Sequence, residues 1–372
     1  MIQSDRQKFI GTTDSKTIPI INFYIDNVYG KTKRVKLLWN FVLAICLIFR
    51  VHGSYKHFSQ KPIKVVGFLP IEMINALLSD LSHIYLLCSH QWVFRSTNIE
   101  PIYNLWSSIG LPSNKVNLNY VSSRRKKSLI CFMILIGLLF YNETPISLKT
   151  RYSSALCNLI HNTISLFIRY CSVAISCSVH GPFLIELAIV ISAAFNHVNL
   201  LISKLDETNL SQLAEIRRLH SQIIILSRKC NSLFSFFIPF AFPIQLFKII
   251  NIFYLLLFDP ISQNNINLNT LDIVNSFIGP IYLGFTVFRL MEVYTSSIAC
   301  SDSLYALSHR IQSPETQYEI VLFIFRVDKK DIGFKFWRLA IIGPNFFSSL
   351  TIIMIPLIIS LPILKANPFQ YF

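Results

Sequence analysis

Residues 124–141 read RRKKSLICFMILIGLLFY: four consecutive cations, then fourteen residues without a charge. Lys and Arg gather on the cytoplasmic flank of membrane-crossing helices, so this junction gives both a fold class and a direction. The apolar part is short for a hydrocarbon core of about 30 Å and must extend at one end to cross it. The rest of the chain has the same character. Of 372 residues, 52% are hydrophobic and 14% charged, Phe alone occurs 31 times, and the mean hydropathy is +0.49. A soluble domain carries about 25% charged residues. A core of this size cannot hide so much apolar surface, which excludes ordinary soluble enzymes and nucleic-acid-binding domains.

Working outward, apolar runs recur at Leu37–Tyr55, Val65–Phe94, Ala155–Ala194, Asn231–Phe258, Leu271–Cys300 and Trp337–Leu364, giving seven spans with Ser128–Tyr141. The 155–194 run is too long for one ordinary span and short for two, and reads as one long, tilted helix that protrudes from the bilayer. The expected fold is all-α: a polytopic membrane protein whose single domain covers 1–372. It comprises a cytosolic segment (1–36), a helical membrane domain (37–364) with cytosolic helix extensions near 195–230 and 301–336, and an extracellular tail (365–372). Residues 1–36 are polar and lack the apolar stretch of a signal peptide.

The charges orient the chain. Segments 1–36, 95–127, 195–229 and 301–338 hold seven, six, five and six Lys/Arg. The alternate segments 51–64, 142–154, 259–270 and 365–372 hold three, two, none and one. That 24-to-6 split puts the N-terminus inside and the C-terminus outside. The net charge of +15 is then mainly an orientation signal, with attraction to anionic lipid headgroups as a secondary consequence; no nucleic-acid partner is implied. The sequon Asn142-Glu143-Thr144 falls on the outer side and makes Asn142 a glycosylation candidate. A second, at Asn209, falls inside.

Within the inner segment 195–229, Leu210, Leu213, Ile216, Leu219, Ile223, Leu226 and Cys230 recur at spacings of three and four. They mark an amphipathic helix that runs into the fifth span with no Gly or Pro to break it. Its stripe needs a partner, and segments 95–127 and 301–336 are available to form a small cytosolic bundle with it.

The sequence has no GxSxG, Walker, HExxH or GxGxxG motif, no CxxC, and no His/Cys spacing suited to zinc. No catalytic residue, metal site or cofactor is expected. A transporter should show self-similar halves, and none is visible. Among charges inside the spans, Arg289 and Glu292 at i, i+3 pair most simply with each other. Glu72, Asp80, His83 and Tyr85 are candidates for a ligand pocket, for helix–helix hydrogen bonding, or for a span end that reaches the headgroups. Phe167, Tyr170, Phe253 and Tyr254 suit an apolar pocket or simple packing.

Three regions carry a family resemblance: Ala214-Glu215-Ile216-Arg217-Arg218-Leu219-His220 leading through Lys229-Cys230-Asn231 to Phe234; a helical approach to the last span, Gly333-Phe334-Lys335-Phe336-Trp337-Arg338; and the last span from Thr351. In these and in its layout the chain resembles the insect gustatory and odorant receptor superfamily, as a divergent gustatory-receptor-like member. The family's last-span motif is Thr-Tyr, four or five apolar residues, then Gln-Phe. This chain keeps Thr351 but has Ile352, Ile358 and Ile359 at the Tyr, Gln and Phe positions.

The resemblance implies a chemosensory cation channel in the plasma membrane, a homo- or hetero-tetramer of like subunits opened by a small-molecule ligand. It further implies a last helix lining a central pore with Thr351, Ile355 and Ile358 at the gate, a cytosolic anchor built from helices four to seven, and a ligand pocket between the outer halves of the spans. Rings of Ile suit a dewetting gate. Loss of the Gln removes a polar group that would help hydrate an ion, so a non-conducting receptor-like protein of the same fold stays open. A divergent G-protein-coupled receptor would require a span count off by one.

Overall fold

The computed structural model describes residues 41–48 except 43, positions 51, 55, 81, 84, 85, 88 and 93, then 96–109, 115–148, 181–206, 209–235, 238, 243, 246, 250, 270–311, 313–329, 331–336, 340–346, 348–352, 355, 356 and 359. These are mainly helical. The elements are α1 (Ser96–Ile109), α2 (Lys115–Leu148), α3 (Gly181–Ser203), α4 (Leu213–Leu233), α5 (Thr270–Ile298), α6 (Ser301–Arg310) and α7 (Pro314–Asp328). An antiparallel pair follows, β1 (Lys335–Phe336) with β2 (Ala340–Ile341), Lys335 opposite Ile341. The described positions from 345 to 359 are helical again and are called the C-terminal helix here.

Local chemistry accounts for several of these ends. α7 starts with Pro314 in its first turn, followed by Glu315, and has Arg326 in its last turn. Proline's fixed φ suits a helix start, and the two charges complement the helix dipole. α6 repeats the charge pattern with Asp302 at its start and His309 and Arg310 at its end. α3 is different: every residue from Phe183 to Phe195 is buried. A helix apolar all round belongs in the middle of a bundle or in lipid. Among the described residues it is the one helix long and apolar enough to cross a membrane.

α4 buries Leu213, Ile216, Ile223, Leu226, Cys230 and Leu233, matching the stripe read from the sequence, with Leu219 partly buried at its edge. Its partners are those the sequence offered: α1 and α7 pack on α4, and α6 packs on α7. One core joins them, with Phe195, Ile223, Leu290, Leu304, Phe323 and Phe334 fully buried in it.

Elsewhere the structure differs from the sequence reading. α4 does not run unbroken into the next apolar stretch. Its last turn tightens at Phe234–Ser235, where the Ser235 amide donates to the Ser232 carbonyl, an i, i−3 bond of the 3₁₀ type. The expected helical approach at 333–338 is not helical over its described residues, 333–336, of which Lys335 and Phe336 form a strand instead; Trp337 and Arg338 lie outside the described residues. Gly333 has φ +133°, a conformation that favours glycine and cannot continue a helix. The chain then turns through the β1–β2 pair, so the last helical stretch begins after Gly343 and not at Trp337. The glycine at 181 reflects close packing: a methyl group there would overlap the Tyr282 hydroxyl of α5.

Candidate functional site

The C-terminal helix presents one bare face. Thr351, Ile352, Ile355, Pro356 and Ile359 are all exposed, Ile352 to 70%. At 100° per residue these positions lie within about 140° of one another. Three exposed isoleucines in one stripe suit a surface covered by lipid or by a partner. α7 shows a second stripe. Tyr318, Val321 and Phe325 are exposed, Phe325 to 74%, although Ile320, Phe323, Ile324 and Val327 of the same helix are in the core.

The segment between these two helices is tightly held. Asp331 accepts from Arg228 of α4 at 3.0 Å and from Arg326 of α7 at 2.9 Å. Partial burial opposes ionisation of its carboxyl, but Arg326, Arg228 and Lys329 together hold it below the usual carboxylate range. The Asn231 side-chain oxygen accepts from the Lys335 amide at 2.8 Å. The Ile342 amide donates to the Phe334 carbonyl at 2.8 Å. Tyr294 of α5 packs against both Gly333 and Gly343.

A second cluster joins α2, α3 and α5. Arg125 donates from two nitrogens to Glu186 of α3, whose side chain is only 3% exposed. Arg124, one residue earlier, reaches Glu292 of α5 at 3.2 Å. Glu292 also accepts from Arg289 at 2.8 Å, the i, i+3 pair anticipated from the sequence. The Arg289 guanidinium lies 5.0 Å from the Phe285 ring centre, and that of Arg124 lies 5.3 Å from the Tyr120 ring centre. The basic run that marks the junction thus has two interior members. The pairings span 61 residues for Arg125 and still more for Arg124, which no local spacing rule could find.

His220 is the third feature. It sits on the buried stripe of α4 between Phe195 of α3, with ring centres 5.4 Å apart, and Phe323 of α7, at 5.1 Å. Among the described residues neither ring nitrogen has a partner at full hydrogen-bond geometry, the Ser297 main chain being only a weak neighbour. Burial pushes the imidazole down to about 4; the nearby Ser297 main chain works upward, and the Arg326 charge further down. Because the unfolded chain takes up a proton near pH 6.5 and the folded one resists, stability is full above that pH. It should fall by roughly 3 kcal/mol as pH drops from about 6.5 to about 4. His220→Leu should flatten this slope in pH-dependent thermal unfolding; an unchanged slope would assign the acid sensitivity to other groups.

Of the gate positions, Thr351 and Ile355 fall on the exposed face of the C-terminal helix, while Ile358 lies outside the described residues. Tyr85 is helical and partly buried. Glu72, Asp80, His83, Phe167, Tyr170, Phe253 and Tyr254 lie outside the described residues. Asn142 is in the last third of α2. The described cysteines, Cys46, Cys88, Cys131, Cys230 and Cys300, are free thiols. Sequence reasoning passed over His220 as a buried group and missed the Arg124 and Arg125 partners.

No protein-family model matches the chain, and no curated protein matches it significantly. Solved structures do. The chain is similar to the insect olfactory receptor OR5 from Machilis hrabei, with a TM-score of 0.63 and 14% identity over 89% of this chain and 90% of that one. The same receptor in complex with eugenol gives a TM-score of 0.55 and 16% identity, with 91% of each chain covered. At that identity the likeness establishes the fold, and the fold is that of an insect olfactory receptor over nearly the full length of both chains.

Proposed function

We propose that this chain is a chemosensory receptor subunit of the plasma membrane: a ligand-gated cation channel, tetrameric, with seven spans, its N-terminus inside and its C-terminus outside. The observation that carries the reading is the pair of bare apolar stripes on consecutive elements, Tyr318, Val321 and Phe325 on α7 and Ile352, Ile355 and Ile359 on the C-terminal helix. A subunit that meets its neighbours through α7 and turns its last helix toward a shared axis covers both stripes at once. The fold likeness to an olfactory receptor solved with eugenol supports a small-molecule ligand. The pocket then draws on Glu72, Asp80, His83, Tyr85, Phe167, Tyr170, Phe253 and Tyr254, and the gate on Thr351, Ile355 and Ile358. The single residue kept from the last-span motif, Thr351, favours a divergent gustatory-receptor-like member.

The test combines topology with conduction. Epitope tags on the two termini of the expressed chain should be reached by antibody on intact cells only at the C-terminus. Ile358→Gln, which restores the polar residue, should produce a leak current that the parent lacks. An exposed N-terminal tag would overturn the orientation and with it this channel reading, leaving a G-protein-coupled receptor to be tested by second-messenger assay. No current from Ile358→Gln at proven surface expression would favour the non-conducting form of the fold.

A further inference from the structure

We infer that Lys126 and Lys127 form a binding site for the anionic phospholipid headgroups of the cytoplasmic leaflet. The inference rests on the membrane placement proposed above. α2 is a single helix of 34 residues, roughly 51 Å long at 1.5 Å per residue; in the membrane placement proposed above it exceeds the bilayer core and carries a membrane boundary within its length. Burial locates that boundary. Leu129, Ile130, Met133 and Ile134 are apolar and exposed, each near 60%, whereas Ser122, Ser123, Lys126 and Lys127 are exposed and polar. The outer surface of α2 therefore changes from cationic to apolar between Lys127 and Leu129.

The four cations of this junction divide by face. Asn117 and Val121 are buried, and on the same side Arg124 and Arg125 turn inward to Glu292 and Glu186. Lys126 and Lys127 are turned the other way. Lys126 shares a face with Ile130, Met133 and Gly137, at i+4, i+7 and i+11, and Lys127 lies one turn below Ile130 and Cys131 and two below Ile134. All of these are exposed. Neither lysine has an ion-pair partner among the described residues. The two ammonium groups thus project from the end of a bare apolar stripe, at the depth where that stripe gives way to water. Long side chains there extend into the headgroup layer, and a phosphate or phosphatidylserine carboxylate is the counter-charge present. The arginine pairs fix the rotation of α2, so the lysines are held outward in place of averaging around the helix.

The experiment compares the full chain with Lys126→Gln/Lys127→Gln and Lys126→Arg/Lys127→Arg, each in nanodiscs of phosphatidylcholine with and without phosphatidylserine or phosphatidylinositol bisphosphate. The readout is retained lipid by native mass spectrometry, with thermal unfolding as a folding check. At about fivefold per lysine, the glutamine pair should reduce retention of anionic lipid roughly twenty-five-fold at low salt, and the arginine pair should restore it. Equal retention by the parent and the glutamine pair would overturn the site. Competition by soluble inositol phosphate as effective as by lipid would make it a site for free phosphates, overturning the lipid assignment. The terminal-tag assay separates the two proposals: tags on the expected sides with equal lipid retention by the parent and the glutamine pair would overturn the headgroup site alone, whereas reversed tags would overturn the channel topology and the cytoplasmic-leaflet assignment together.

Discussion

Replacing Arg125 with alanine should lower the stability of the folded chain by about 3–5 kcal/mol, the usual cost of stripping one partner from a buried ion pair. Glu186 lies inside α3 with its side chain 3% exposed, so without Arg125 its charge would have neither water nor a cation. Thermal unfolding in detergent or nanodiscs would measure the loss. The adjacent Arg124→Ala should cost only about 1 kcal/mol. Arg124 is a third exposed, and Glu292 keeps Arg289 at 2.8 Å. Arg125→Met combined with Glu186→Leu should recover most of the loss, because two apolar groups of similar volume replace the pair without orphaning a charge. Equal, small losses for Arg124→Ala and Arg125→Ala would mean that water reaches Glu186.

If the chain assembles as the tetramer proposed above, Phe325→Glu should convert it to monomers while leaving the subunit folded. A Phe side chain moved from water to a packed interface contributes about 1.5–3 kcal/mol, and a symmetric ring repeats that contact at every joint. Phe325 is 74% exposed in the single chain, so unfolding of the isolated subunit should be unchanged. Native mass spectrometry in mild detergent reads both effects. Intact tetramers carrying Phe325→Glu would move the subunit contact off α7, and a parent chain that runs only as a monomer would remove the case for assembly altogether.

How far the residues announced this arrangement depends on the range of the interaction. The α4 stripe was legible because burial repeats every three or four residues and each member is apolar. The Arg289–Glu292 pair was legible because both partners lie on one helix. His220 was not, since a polar residue on an apolar face is explained only by Phe195 and Phe323, which come from other helices. The same holds for Arg125 and Glu186. The approach to the last helix was misread for a different reason. Phe334-Lys335-Phe336 tolerates either conformation locally, and the choice is made by Gly333 at φ +133° and by the Ile342–Phe334 hydrogen bond, one a backbone angle and the other a contact across a turn. Of the candidate site, Thr351 and Ile355 were singled out only through the family resemblance, and no local spacing rule gives their exposure.

The clasp between α7 and the C-terminal helix separates two mechanical tasks. Asp331 is gripped by α4 and α7, Lys335 by Asn231, and Gly333 and Gly343 by Tyr294. A load applied to the last helix therefore meets a fulcrum at the strand pair before it reaches α7. In the tetramer proposed above, the helix would swing about that point while the exposed stripe of Tyr318, Val321 and Phe325 stayed seated against a neighbouring subunit. In the proposed assembly, holding the subunits together and moving the wall between them would fall to different stretches of one chain, and neither would have to yield for the other to work.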